Sequence, residues 1–492
     1  MTPKTDVDSD SGYGLYKHYR TGTDLNSASA VALSPDLAEE LAELYFQNNQ
    51  AGFPYLFHQA TFMEDVRMGT IPLILLYGVI GLSARFSQHA ILREINPWDR
   101  GGPYAKEAER LLDLHNLSLT TIQACMLLAL NFAIEGESET ECIYFAIASR
   151  MGMILDLPNA AGKTPYELEL NRRVWWSIVT TDTWSSANLC LPRAIKLQDD
   201  ILLPVDEVTF ARMSPKTPFP IDPYDGRQSS PTPEPSLSAL AHLAQLNKLL
   251  YEIYRLNATI IDENLGITAA EGTIESLSNA LAEWLSGLPP QMQYTKANMS
   301  NWVEKGFGHI FSTIHINYNH AAQLLFYQFL YASQVASEGC SLGPAEAYAR
   351  RCKQHAAALC DQVYNAREEY GVDIRYSIIS HILVMASTVQ IHSLLFSLDD
   401  DEIALAKVRL ERNFETITRL HTYWPNVSAS FSRLRAFHRA CLKSMHTSFR
   451  LDRWMLRFML EFSRSIEDKD EETVACSEDS KPFDQLRYLL ER

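Results

Sequence analysis

The run Asp399-Asp400-Asp401-Glu402 carries the strongest enzyme-like signal in this chain. Aspartate-rich runs can hold magnesium and, through it, a diphosphate. Here the run follows the apolar SLLFSL and precedes IALAKV, and no second acidic metal-binding phrase answers it. That context predicts a solvated turn between helices. His315 and His320 are five apart, which does not put two ligands on one helical face, so they read as ordinary histidines of a half-buried helix. Gly306-Phe307-Gly308 lacks a third glycine and a preceding strand, and reads as a helix-break turn. The cysteines Cys125, Cys142, Cys190, Cys340, Cys352, Cys360, Cys441 and Cys476 include no C-x-x-C pair. Neither a zinc site nor a dithiol motif is suggested, and most of them read as small buried hydrophobes in a reducing compartment. Trp175, Trp176 and Trp184 could line a ligand pocket, although aromatics at helical spacing are more often core. No nucleophile elbow, H-E-x-x-H or phosphate loop occurs, so no catalytic, cofactor or metal residue is assigned.

The elements that would position any site are helical. Residues 1–33 are polar and expected to be disordered. From Ser34-Pro35 onward, apolar residues recur at three and four with little strict alternation, which predicts an all-α fold. Ser34 is a plausible N-cap and Pro35 fits the first helical position. Residues 211–236 contain seven prolines and are expected to form an exposed loop. That loop would join two halves, 34–210 and 237–463, of one large irregular helical domain. Residues 464–492 read as an acidic tail.

One helix can be read closely. Thr164-Pro165-Tyr166-Glu167 has the pattern of a capping box, so a helix is expected from Pro165 through NRRVWWSIVTTDTWSSANLCL. Trp175, Ile178, Asp182, Ser185 and Leu189 fall on one face of it. A carboxylate facing the core needs a cationic or multi-donor partner. On the preceding helix Ile143, Ile147, Met151 and Ile154 mark a buried stripe, with Arg150 on or beside it. Asp182 is therefore expected to be buried and to pair with Arg150 or Arg193. The alternative is that these groups reach water past the core edge.

Five consecutive segments then carry a resemblance. They are the phrase Phe53 to Phe62 (FPYLFHQATF), Leu75 to Ser87 (LLYGVIGLSARFS), Tyr104 to Arg110, and Ile122 through Leu157 with Ala148, Arg150, Met151 and Leu155. The last runs from Arg172-Arg173-Val174-Trp175-Trp176 to Asp182, followed by Leu191-Pro192-Arg193, Asp200-Ile201 and Leu203-Pro204. In order and spacing this resembles the fungal-specific transcription factor domain, or middle homology region, of the binuclear zinc cluster regulators. Arg150, Arg172, Arg173, Trp175, Trp176, Asp182, Pro192 and Arg193 are the residues that match the family's phrases, and the resemblance implies a structural role for them. Two departures stand out. The family's six-cysteine zinc cluster has no counterpart, because no cysteine precedes Cys125. The family's frequent Asp-Arg is Asp182-Thr183 here.

The formal net charge of −17 disfavours sequence-independent contact with phosphate backbones. The N-terminus has no apolar signal region, and the longest apolar run, Ile71 to Ala84, is too short to span a membrane. The resemblance implies a nuclear regulator of a fungal gene set, metabolic or biosynthetic. Its partners would be other transcription factors or co-regulators, a homodimer mate through the second half, and a small-molecule effector. DNA would be reached indirectly or through a missing module, and no membrane is involved. The alternative is a metabolite-binding or enzymatic protein that reuses the helical scaffold.

Overall fold

A computed structural model describes residues 33–48, 55–160, 162, 164–196, 201–218, 237–265, 267–331, 343–467 and 469. Among them the chain is all-α, with no strand. Among the described residues eight α-helices precede residue 212: α1 (Pro35–Asn48), α2 (Gln59–Met68), α3 (Leu73–Ser83), α4 (Gly102–Arg110), α5 (Leu119–Glu135), α6 (Ser138–Ile154), α7 (Pro165–Asn188) and the short α8 (Glu207–Ala211). Ten described α-helices follow residue 236: α9 (Ala239–Asp262), α10 (Ile267–Ser286), α11 (Lys296–Glu304), α12 (Gly308–Phe326), α13 (Gly343–Glu368), α14 (Ile379–Phe396), α15 (Asp400–His421), α16 (Ser428–Lys443), α17 (Met445–Ser448) and α18 (Arg453–Leu460).

Local chemistry sets the helix starts. The Ser34 hydroxyl accepts from the Leu37 amide at 3.2 Å, and the Thr164 hydroxyl accepts from the Glu167 amide at 3.2 Å. Asp399 caps α15 by accepting from the Asp401 amide, so the acidic run is a helix cap and first turn. Glu402, the last of the run, accepts from the hydroxyls of Ser393 and Ser397 and pairs with Lys353 at 3.0 Å. Gly306 ends α11 in the left-handed region, with φ at +83°, as a helix-break turn requires.

Glycines in the Leu75 to Ser87 phrase allow α3 to lie close against α5. A Cβ on Gly78 would stand 2.9 Å from Leu127 Cδ1, and one on Gly81 2.6 Å from Asn131 Oδ1. The helices before residue 212 and those after 236 share one continuous hydrophobic core. The α14 helix lies inside it. That helix is long and apolar enough to cross a membrane, yet 83% of it is buried within the fold. Sequence reading overlooked it because Ser380, His381, Ser387, Thr388, Gln390 and His392 punctuate its apolar residues, and all six are buried.

Several expectations need correction. Ile143 and Ile154 are 59% and 62% exposed. The buried face of α6 instead carries Glu141, Phe145, Ala148, Met151 and Gly152. A Cβ on Gly152 would meet Ile178 Cδ1 at 3.2 Å, so the face that meets α7 needs small residues, and the isoleucines are turned outward. The α12 helix is buried almost throughout, so His315 and His320 are core residues and not half-exposed ones. Burial lowers both, His315 to about 4 and His320 to about 3. Cys125, Cys352, Cys360 and Cys441 are buried as expected, whereas Cys190 is exposed; Cys340 and Cys476 lie outside the described residues. Residues 212–218 form largely exposed turns, and 219–236, like 1–32 and 470–492, lie outside the described residues. The beginning of the expected acidic tail is held: Ile466 is buried, and the Glu467 carbonyl accepts from the Trp454 indole.

Candidate functional site

The residues that carry the family phrases gather around α7. Asp182 is buried and meets Arg193, whose Nε donates to Oδ2 at 3.3 Å. The carboxylate also accepts from the amides of Ala194 at 3.0 Å and Ile195 at 3.1 Å. One acidic side chain thus captures the turn that follows α7. Arg150 takes no part, because it lies exposed on the outer face of α6. Of the two expected partners, the structure selects Arg193. Its guanidinium also lies 5.0 Å from the Tyr251 ring centroid. Pro192 is exposed beside it. Thr183, which stands where the family often has Arg, is buried and donates to the Val179 carbonyl. Asp182→Asn is expected to cost about 2 kcal/mol, because the amide keeps the shape but loses charge-assisted bonds. Thermal melts of the variant check this, and an unchanged midpoint would count against the capture role.

A second node forms two to three turns earlier on α7. Arg173 is wholly buried, and its Nε donates to Glu169 at 2.9 Å while Nη1 lies 3.9 Å from Glu207. It donates as well to the Val205 carbonyl and covers the Phe210 ring at 4.2 Å. Arg172 pairs with the other oxygen of Glu169 at 2.8 Å. Glu207 then accepts from the amides of Ala239 at 3.0 Å and Leu240 at 3.1 Å, at the N-terminus of α9. Burial raises the Glu207 carboxyl, and Arg173 and these amides oppose the rise. The node therefore joins α7, the 201–211 strap and the first helix after residue 236. Trp176 secures the same strap by donating to the Leu202 carbonyl at 3.0 Å, and Trp175 is core.

Sequence reasoning missed three buried arginines. Arg85 donates to the carbonyls of Tyr423 at 2.8 Å and Leu82 at 3.2 Å, and lies 4.8 Å from the Trp424 ring. Burial lowers it to about 10. Arg100 donates to the carbonyls of Ile95 and Ser87, both at 2.8 Å. Arg433 donates to the carbonyls of Glu461, Arg464 and Arg457 at the end of α18. A lone arginine inside an apolar phrase, as in Leu82 to Phe86, was the available signal.

Between these nodes lies a cavity of about 150 Å³. Leu82, Ile134, Phe145, Trp184, Leu243 and Trp424 supply much of its apolar wall. None of its lining residues is exposed. Phe462 and Ser463 form one wall, held by Asn188, whose Oδ1 accepts from both their amides at 2.9 and 3.2 Å. Polar groups are interspersed. Tyr45 Oη, Thr180 Oγ1, Asn247 Oδ1, Asn426 Oδ1 and Glu141 Oε2 are buried without a hydrogen-bond partner among the described residues. Burial pushes the Glu141 carboxyl up to about 8, with the Ser185 hydroxyl offsetting part of the shift. No group of three or more potential metal ligands occurs among the described residues.

The arrangement is one of structural capture around a small interior space. Comparison with known proteins agrees in kind. Residues 42–286 match the model of the fungal specific transcription factor domain. The chain is 27% identical over 328 residues to an uncharacterized transcriptional regulatory protein of Schizosaccharomyces pombe, covering 61% of this chain and 33% of that one. A second such protein of the same yeast is 22% identical over 452 residues, covering 83% of this chain and 53% of its own length. A Zn(2)-C6 fungal-type transcription factor of Fusarium oxysporum is 27% identical over 263 residues, 49% of this chain and 27% of that protein. The chain thus spans from about a quarter to about half the length of these curated relatives. No solved structure matches it. The Arg172 to Arg193 network lies within the matched span, and the chain belongs to the family of the fungal specific transcription factor domain.

Proposed function

We propose that this chain is the regulatory and protein-contact part of a transcriptional regulator that controls a fungal metabolic or biosynthetic gene set. The observation that carries this reading is the domain match over 42–286, together with relatives whose names describe transcriptional regulators. The net charge of −17 supports protein contact over direct phosphate contact for these residues. DNA is then reached through a partner regulator or through a module outside these 492 residues. Other transcription factors, co-regulators or a second copy of the chain are its partners, the nucleus is its place of work, and the chain is not an enzyme.

Tethering tests the reading. The full chain fused to an unrelated DNA-binding domain is expected to raise or lower a reporter at least several-fold. Deletion of the gene is expected to change a defined transcript set, and a fluorescent fusion to enter the nucleus. A tethered chain without effect, combined with an unchanged transcriptome in the deletion strain, would overturn the proposal.

A further inference from the structure

The cavity beneath Phe462 and Ser463 combines three properties that a packing defect does not need. Its size is definite, since about 150 Å³ admits a guest of one aromatic ring and little more. Its two unmatched amides have one sense. Asn247 Nδ2 donates to the Leu243 carbonyl at 3.0 Å and Asn426 Nδ2 to the Ala133 carbonyl at 3.1 Å, so each amide has its donor used and its oxygen unmatched. These two unmatched acceptors ask for donors, and the unmatched hydroxyls of Tyr45, Thr180 and Tyr376 beside them can accept or donate. Its charge is restricted as well. Among the described residues no arginine, lysine or histidine lines it, and Glu141 is the one carboxyl side chain that does. An anionic guest would be buried without a counter-charge, and an ammonium would have to shed its water and draw the Glu141 carboxyl into its ionised form.

We propose that this cavity binds a small neutral molecule of single-ring size that bears a hydrogen-bond donor, such as a phenol or an arylalkyl alcohol. The apolar body lies among Leu82, Ile134, Phe145, Trp184 and Trp424, and the donor satisfies Asn247 Oδ1. The wall takes residues from both sides of the 211–236 stretch: Tyr45, Thr180 and Trp184 before it, Leu243, Asn247 and Trp424 after it. A guest therefore favours the arrangement in which these two sets of helices are closed on each other. The biological meaning, an effector of transcription, rests on the proposed function. The binding itself does not, and purified protein tests it without a reporter.

The probes are p-cresol, benzyl alcohol, toluene, benzylamine and benzoate, titrated into the full chain at pH 7.5 by calorimetry and tryptophan fluorescence. The expected result is saturable one-to-one binding of p-cresol or benzyl alcohol with a rise in melting temperature. Toluene, lacking the donor, should bind roughly tenfold more weakly. Benzoate should not bind, and benzylamine should bind more weakly than benzyl alcohol. Asn247→Leu should erase the preference for p-cresol over toluene, and Thr180→Ile, which fills space, should weaken all binding. Each variant's melt reports whether it folds, and the wild-type probe series decides the matter even if both fail. Absence of saturable binding by every neutral probe would overturn the proposal. So would tighter binding of benzoate or benzylamine, or an unchanged preference in folded Asn247→Leu.

Discussion

Arg173→Leu is expected to destabilise the domain by about 3–5 kcal/mol, because it strands buried carboxylates on both sides of the lost guanidinium. Glu169 and Glu207 are each about as buried as Arg173 itself. Glu169 would keep Arg172, but Glu207 would keep only the amides of Ala239 and Leu240. The loss also reaches beyond α7, since the Val205 carbonyl and the Phe210 ring lose their partner as well. The defect should depend on pH. A carboxyl deprived of its cation in the core holds its proton more tightly when folded than when unfolded, so the variant should recover as pH falls toward 5 and worsen as pH rises. Arg173→Lys should fall between, since an ammonium keeps the charge but cannot fork toward Glu169 and Val205 together. Scanning calorimetry from pH 5 to 8.5 measures both effects. A Leu variant melting within about 2 °C of the parent at pH 7.5 would remove Arg173 from the centre of the fold.

Glu141→Gln is expected to act in the opposite direction. Burial pushes the Glu141 carboxyl up to about 8, from an ordinary value of 4.5. An acid whose pKa rises on folding binds its proton more tightly in the folded chain. Folding stability therefore declines as pH climbs from 4.5 to 8 and levels off above. The shift corresponds to on the order of 5 kcal/mol of stability that the wild-type chain forgoes at alkaline pH. Glutamine cannot ionise, so the variant should match the parent near pH 5 and exceed it clearly at pH 8.5. Part of the gain is lost because a buried amide replaces a buried carboxyl. If the difference in melting temperature is the same at both pH values, Glu141 is not the ionising group that sets this slope.

Much of the scaffold was legible in the sequence, and the reasons are local. Ser34, Thr164 and Gly306 act on their own neighbours within four residues, so their roles follow from short-range patterns. Asp182 was readable because a charge in phase with Trp175 and Ile178 is conspicuous. Its partner was ambiguous because Arg150 depended on the rotational phase of a second helix. There, isoleucine spacing misled: the face that packs closest on α7 is marked by Ala148 and Gly152, since close approach selects small residues over hydrophobic ones. The cavity was not legible at all. Tyr45, Glu141, Asn247 and Asn426 lie hundreds of residues apart in part, and no periodicity distinguishes an unmatched amide oxygen from a matched one. Glu207 was hidden for the same reason, because its function is to cap a helix that begins 32 residues later.

Arg85, Arg100 and Arg433 are buried, and each is held chiefly by main-chain carbonyls. Arg85 has one carboxylate nearby, Glu135 at 3.8 Å, whereas its contact to Tyr423 crosses 338 residues of sequence. Carbonyl dipoles are fixed in place by the backbone, and mobile ions cannot reach them in the interior. The contacts that these guanidiniums make should therefore respond little to ionic strength, whereas any phosphate contact made by a DNA-binding partner weakens steeply as salt rises. A DNA-bound partner would release its site at salt concentrations that leave this helical body intact.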